Sequence, residues 1–177
     1  MGNIHTRETN DPWFVNVIYL FGDTTELKRR LDAGANIEAR NIGYRDTPLV
    51  HAAWHRNYDA CKLLLERGAN IESCDINGNT ALCYAIFQAN VSVIKLLLAA
   101  GARYDIQNTD RYTPLDLAKC GANQKVISLL ENHIVAVNLS GVISRGLIKK
   151  SLFSDFLVFD NINDPRLFII VSQFAFY

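Results

Sequence analysis

The stretch Thr47-Pro-Leu-Val-His-Ala-Ala53 returns as Thr80-Ala-Leu-Cys-Tyr-Ala-Ile86 and again as Thr113-Pro-Leu-Asp-Leu-Ala-Lys119, each start 33 residues after the last. A second series keeps the same period. LLLERGANIE and LLLAAGARYD place Gly68 and Gly101 33 residues apart, while LDAGANIE sets Gly34 one residue further back. The extra residue therefore falls between Gly34 and Thr47. Self-similarity at a fixed period of this length identifies a repeat architecture. Within each unit the apolar positions follow helical spacing: Cys61, Leu63 and Leu64 recur as Ile94, Leu96 and Leu97, then as Ile127, Leu129 and Leu130. Two short helices per unit follow from this.

The punctuation agrees with the period. A Thr followed by Pro opens a helix well, because the hydroxyl can cap and Pro at the first turn gives up no needed donor; Thr47-Pro48 and Thr113-Pro114 both fit. Gly34, Gly68 and Gly101 follow the last leucines of the second helix, where a left-handed residue ends the helix. A polar loop such as Asp75-Ile-Asn-Gly-Asn79 then turns the chain. No single unit could bury its apolar face alone, so stability must come from neighbours stacking into one core.

The 33-residue period with T-P-L-x-x-A and L-L-x-x-G-A resembles the ankyrin repeat, over residues 11–133 as about four units. The resemblance implies an all-α fold: an ankyrin-repeat solenoid of stacked helix-turn-helix units with protruding loops. The first unit is degenerate, with residues 13–21 as its first helix, Gly22 at the turn and residues 25–31 as its second. The sequence also departs from the family. The His expected after T-P-L is Val50, Cys83 and Asp116 here, so the usual Thr–His hydrogen-bond exchange is expected to be missing and the array less stable. The closing Gly-Ala of the last unit falls at Ile134-Val135, so the solenoid is expected to stop or change there.

The same resemblance implies a binding surface made of loop tips and the inner face of the first helices. In register, it should carry Tyr44, Asp46, Trp54 and His55, then Ile76, Asn77, Asn79, Phe87 and Gln88, then Thr109, Asp110 and Tyr112. Trp54 and Phe87, one repeat apart, are the leading anchors, because aromatic side chains bury much area at little conformational cost. Register leaves open whether these rings face solvent or pack between helices. The expected partner is another protein, bound by a monomeric scaffold or adaptor.

Other functions find little support. Lys plus Arg (18) balances Asp plus Glu (18), so no basic field draws nucleic acid. No Gly-rich phosphate loop, G-x-S-x-G elbow or H-E-x-x-H helix is present, and neither catalysis nor a cofactor is expected. His51 and His55 lie four apart on a helix, but nothing suggests a third ligand, so no metal site is expected. Cys61, Cys74, Cys83 and Cys120 form no C-x-x-C pair and read as free thiols. No secretory signal or apolar run of membrane-spanning length appears, so an intracellular protein is expected, cytoplasmic first, with nucleus or membrane surface as alternatives. The sequons at Asn90 and Asn138 then carry no meaning.

Both ends hold secondary candidates. Residues 1–10 form a leader in which Met1-Gly2-Asn3-Ile4-His5-Thr6 matches the pattern for myristoylation of Gly2. One acyl chain binds membranes only marginally, so membrane contact, should Gly2 be acylated, would be reversible. Residues 134–177 break the period and become apolar, with residues 156–159 and 167–171 flanking a turn-like segment compatible with a hairpin. A C-terminal extension after such repeats resembles the SOCS box of ubiquitin-ligase adaptors. Leu139, Ile143 and Leu147 loosely match its first helix, but Ile143 stands where Cys is expected and the Leu-Pro segment is reduced to Asp164-Pro165. A segment that caps the end of the stack is the favoured reading.

Overall fold

The computed structural model describes the backbone of residues 24–144 and the side chains of residues 24–138. Gly2, the first unit's opening helix at 13–21 and the two segments expected to form a hairpin lie outside the described residues. Seven helices occupy the described chain: α1 (Thr24–Asp32), α2 (Pro48–Trp54), α3 (Tyr58–Glu66), α4 (Ala81–Phe87), α5 (Val91–Ala99), α6 (Pro114–Cys120) and α7 (Gln124–Ser144). Among the described residues there is no strand, only an isolated bridge between Cys74 and Thr80. The chain divides into two compact units, Met1–Ile127 and Ser128–Tyr177, and the repeats of helices α1 to α6 belong to the first.

The helices start where polar side chains can cap them. Thr47 and Thr113 accept from the amides three residues on, Val50 and Asp116, with Pro at the first position. The second helices use a cap that periodicity alone does not reveal. Asn57, Asn90 and Asn123, 33 residues apart, accept at Oδ1 from the amides of Ala60, Val93 and Val126; such caps contribute about 1 kcal/mol each. The expected loss of the Thr–His exchange is corrected at one position. Asp116 takes the missing role: its carboxylate accepts from both the Thr113 amide (3.0 Å) and hydroxyl (2.6 Å), closing a capping box. Thr113 therefore holds the Asp116 carboxyl below the usual range. In the middle unit only a Thr80 hydroxyl to Cys83 thiol contact of 3.6 Å remains.

Each unit has left-handed residues at fixed places. Gly34, Gly68 and Gly101 end the second helices with φ of 85°, 82° and 91°. The amides of Ala69 and Ala102 then reach back to the carbonyls of Leu64 and Leu97, the bond that satisfies a helix end. Two further series break the glycine rule. Arg56, Ala89 and Ala122 turn between helices, and Arg45, Gly78 and Arg111 turn at the loop tips, all with positive φ and all in register. Each non-glycine there costs about 1–2 kcal/mol, which the surrounding structure must offset.

The additional residue of the first unit can now be placed. The tips close by amide-to-carbonyl bonds from Asp75 to Asn79 and from Asn108 to Tyr112, but from Asn41 to Asp46, a span one residue longer. The side chains register the difference. Asp75 Oδ1 accepts from the amides of Asn77 and Asn79, and Asn108 Oδ1 from those of Asp110 and Tyr112. The longer first tip offers no such amides, and Asn41 Oδ1 is buried without a partner.

Helices of one kind pack on their counterparts: α2 on α4, α4 on α6, α1 on α3 and α3 on α5. Leu49, Leu64, Leu82, Ile94 and Leu97 are fully buried between them, each contributing about 1.5–3 kcal/mol by leaving water. Ala52, Ala85 and Ala118, again in register, allow close approach. A polar rung runs beside this core. Glu38 accepts from the Asn70 amide (2.7 Å) and the Ser73 hydroxyl (2.8 Å), and Glu72 from the Arg103 amide (2.8 Å). The counterpart of Ser73 is Ile106, which has no hydroxyl to give, and Glu72 Oε2 is accordingly buried without a partner.

Helix α7 passes His133 and runs on to Ser144, so residues 134–144 are helical. Ile134-Val135 in place of Gly-Ala removes the stop signal, and nothing else ends the helix there. None of the described helices is long and apolar enough to cross a membrane.

The left-handed series makes a two-sided expectation. A Cβ at Gly78 would lie 3.2 Å from the Thr109 amide nitrogen at φ 74°, so Gly78→Ala is expected to destabilise by about 1–2 kcal/mol. Ala89→Gly, at φ 50°, is expected to raise stability. Urea midpoints at unchanged m-value read both.

Candidate partner-binding face

The face is built on two local features: the ends of the first helices, which carry Trp54 and Phe87, and the loop tips, which stand beside them. Tyr84 joins the two. Its ring meets Trp54 edge-on at 5.2 Å and 89°, and Phe87 at 5.9 Å and 67°; its hydroxyl donates to Asp75 Oδ2 in the tip at 2.6 Å. Helix geometry explains the second ring pair, since Tyr84 and Phe87 are three apart on one helix surface. Neighbouring tips are stitched by the Ile76 amide to the Tyr44 carbonyl (2.9 Å) and the Thr109 amide to the Asn77 carbonyl (3.0 Å).

Of the positions expected on this surface, Tyr44, Trp54, Ile76, Phe87 and Tyr112 expose between 43% and 67% of their area. Asn77, Thr109 and Asp110 are exposed too, while His55 and Gln88 are half-buried. Two positions are corrected. Asp46 and Asn79 point inward, 8% exposed each, because each is held by a side-chain bond, whereas Tyr112, which closes the third tip, stays exposed. Asp46 Oδ2 pairs with His51 Nδ1 at 3.0 Å, and Asn79 Oδ1 accepts from Asn108 Nδ2 at 3.1 Å. Both are scaffold residues.

Tyr84 is the face residue that sequence reading missed. In register it follows His51 and precedes Leu117, a position with no shared chemistry, so only its spacing from Phe87 could have signalled it. Burial first, then the hydrogen bond to Asp75, raises its hydroxyl above the ordinary tyrosine range.

The histidines are brought together, with ring centroids of His51 and His55 4.5 Å apart. Burial, then the field of His51, lowers the His55 pKa. His51 Nε2 is buried without a partner. Among the described residues no group of three His, Cys, Asp or Glu side chains is arranged to hold a metal. The four cysteines are free: Cys61 and Cys83 buried, Cys74 half-buried and Cys120 exposed. Burial pushes the Cys61 thiol up to about 12, the behaviour of a small apolar core residue.

A family model described as ankyrin repeats (3 copies) matches residues 17–109 and 70–140. The chain belongs to the ankyrin-repeat family. No curated protein gives a significant match. Ankyrin repeats are generally protein–protein interaction modules, and the exposed rings of this ankyrin array stand on its first helices and loop tips.

The Tyr84 bond yields a pH expectation. A folded-state pKa above the unfolded value near 10 means that this stabilisation is complete below pH 10 and fades as pH rises through the folded value. Tyr84→Phe is expected to lose about 1.5–3 kcal/mol near neutrality, the size of a hydrogen bond to a charged group, and to show a shallower alkaline decline. Chemical denaturation across the alkaline range checks both.

Proposed function

We propose that this ankyrin array is a scaffold or adaptor that holds one partner protein on the face carrying Trp54, Phe87, Tyr44, Ile76 and Tyr112. One observation carries the reading: five large apolar side chains on the tips and helix ends lie open to solvent, while the leucines of the core are fully buried. Aromatic anchors at the centre of a surface are where binding energy concentrates, and exposed apolar patches of this kind mark interaction sites.

Asn77, Thr109, Asp110 and Gln88 form the polar rim, with His55 beside Trp54. The module works without cofactor or catalysis in this reading, as an intracellular monomer, and any role of Gly2 or of the C-terminal segment is additional to the face.

The test is a Trp54→Ala, Phe87→Ala double variant compared with the unaltered chain. Each ring gives up one aromatic contact with Tyr84, so the stability loss is expected to be modest, about 0.5–1.5 kcal/mol per ring, while affinity purification loses the partner. A large loss of stability with partner capture unaltered would make both rings ordinary core and reject the proposal.

A further inference from the structure

Between the first and second tips lies a recess of about 390 Å³, lined by Arg40 and Arg45 from the first and by Cys74, Asp75 and Ile76 from the second. Its two guanidinium groups are not demanded by the repeat. In register Arg40 corresponds to Cys74 and Gln107, and Arg45 to Gly78 and Arg111, so the second tip carries no cation at either position.

Arg40 is a positioned cation. Its Nη1 donates to the carbonyls of Arg45 (2.8 Å) and Cys74 (2.7 Å), which fixes the guanidinium across both tips. Those acceptors are neutral, and the rest of the fork has no partner among the described residues. Arg45 is exposed at the left-handed position of its tip, with φ of 56°. Its side chain bonds to none of the described residues.

The carboxylates nearby are already engaged. Asp75 spends Oδ1 on the amides of Asn77 and Asn79, and Oδ2 on the Asn77 side chain and the Tyr84 hydroxyl. Asp46 is buried against His51, and Glu38 accepts from the Asn70 amide and the Ser73 hydroxyl. Among the described residues no carboxylate pairs with Arg40 or Arg45. The walls therefore hold two guanidinium groups against one carboxylate, a surplus of a single positive charge. Arg56 and Arg111 are exposed outside the recess, each with an exposed acid close in sequence, Asp59 and Asp110.

Guanidinium groups with open donors take a carboxylate well, because its two oxygens accept parallel N–H bonds. The size of the surplus favours a carboxylate over a phosphate. One negative charge balances the walls, whereas the further charge of a phosphate would face Asp75 unopposed. Ile76 lines the recess and is 60% exposed, so an acidic side chain entering here stands next to the apolar face.

We propose that the partner seats an aspartate or glutamate side chain in this recess, with its carboxylate on Arg40 and Arg45 and its chain neighbours on Ile76. This rests on the partner-binding reading above and specifies its chemistry.

Selection of random peptides on the immobilised full chain tests it. Peptides weakened by Trp54→Ala or Phe87→Ala are expected to share one Asp or Glu, and changing that residue to Asn or Gln to weaken binding about tenfold, the size of a hydrogen bond between charged groups. Arg45→Gly separates binding from folding. It removes the charge and relieves the left-handed strain, so the urea midpoint should hold or rise, while acidic peptides suffer a comparable loss and their amide forms are spared. A lowered midpoint in Arg45→Gly, undiminished binding of acidic peptides to that variant, ring-dependent peptides with no shared acid, or equal binding of the amide form each overturn this inference and leave the partner-binding reading standing. Selection that yields no peptide sensitive to Trp54→Ala or Phe87→Ala overturns both.

Discussion

Everything in this array depends on apolar burial between successive units. Leu49 and Leu82 on the first helices, and Leu64 and Leu97 on the second, are fully buried where each helix packs both on its partner in the same repeat and on its counterpart in the next. A unit of two short helices cannot do this by itself, because helices of seven to nine residues are marginal in water without an apolar face to bury. The 33-residue period is the consequence: each leucine must meet its counterpart at the same height, so caps, turns and small residues are held to the same spacing.

Stacking in register also decides where polar groups go. Glu38 and Glu72 bond to the amides of the following unit, and the Asn108 side chain closes its own turn and reaches the preceding tip. Where the repeat is imperfect, the defect has a visible address. A missing hydroxyl at Ile106 leaves Glu72 half-satisfied, the longer first tip isolates Asn41, and Asp46, bonded to His51 through one oxygen, keeps the other without a partner. Unpaired buried oxygens destabilise, and two of the three sit in the first tip, next to the exposed rings.

Much of this was legible in the residues. The threonine starts, the glycine stops and the leucine spacing were enough for two helices per unit, because each reports a local physical need that recurs. Other features were hidden because unlike residues fill like positions. Arg56, Ala89 and Ala122 share a left-handed turn that composition would assign to glycine, and Asp116 restores with a carboxylate the bond that His makes elsewhere in the family. The candidate face was half legible. Register placed Trp54 and Phe87 at the helix ends without fixing which way their rings face, Asp46 and Asn79 turn inward because His51 and Asn108 bond their side chains, and Tyr84 gains its place only from its neighbours in space. Helix α7 continued past His133 because losing a stop signal extends a helix as readily as it ends a repeat.

Native-state hydrogen exchange on Leu82→Ala addresses the dependence of each repeat on its neighbours most directly. Leu82 is 1% exposed, so the substitution should cost about 2–5 kcal/mol. Helices α2 and α6, which flank α4 on either side, are expected to lose protection together with it. Loss confined to α4, with α2 and α6 as protected as before, would mean that the repeats stand independently and would contradict the account.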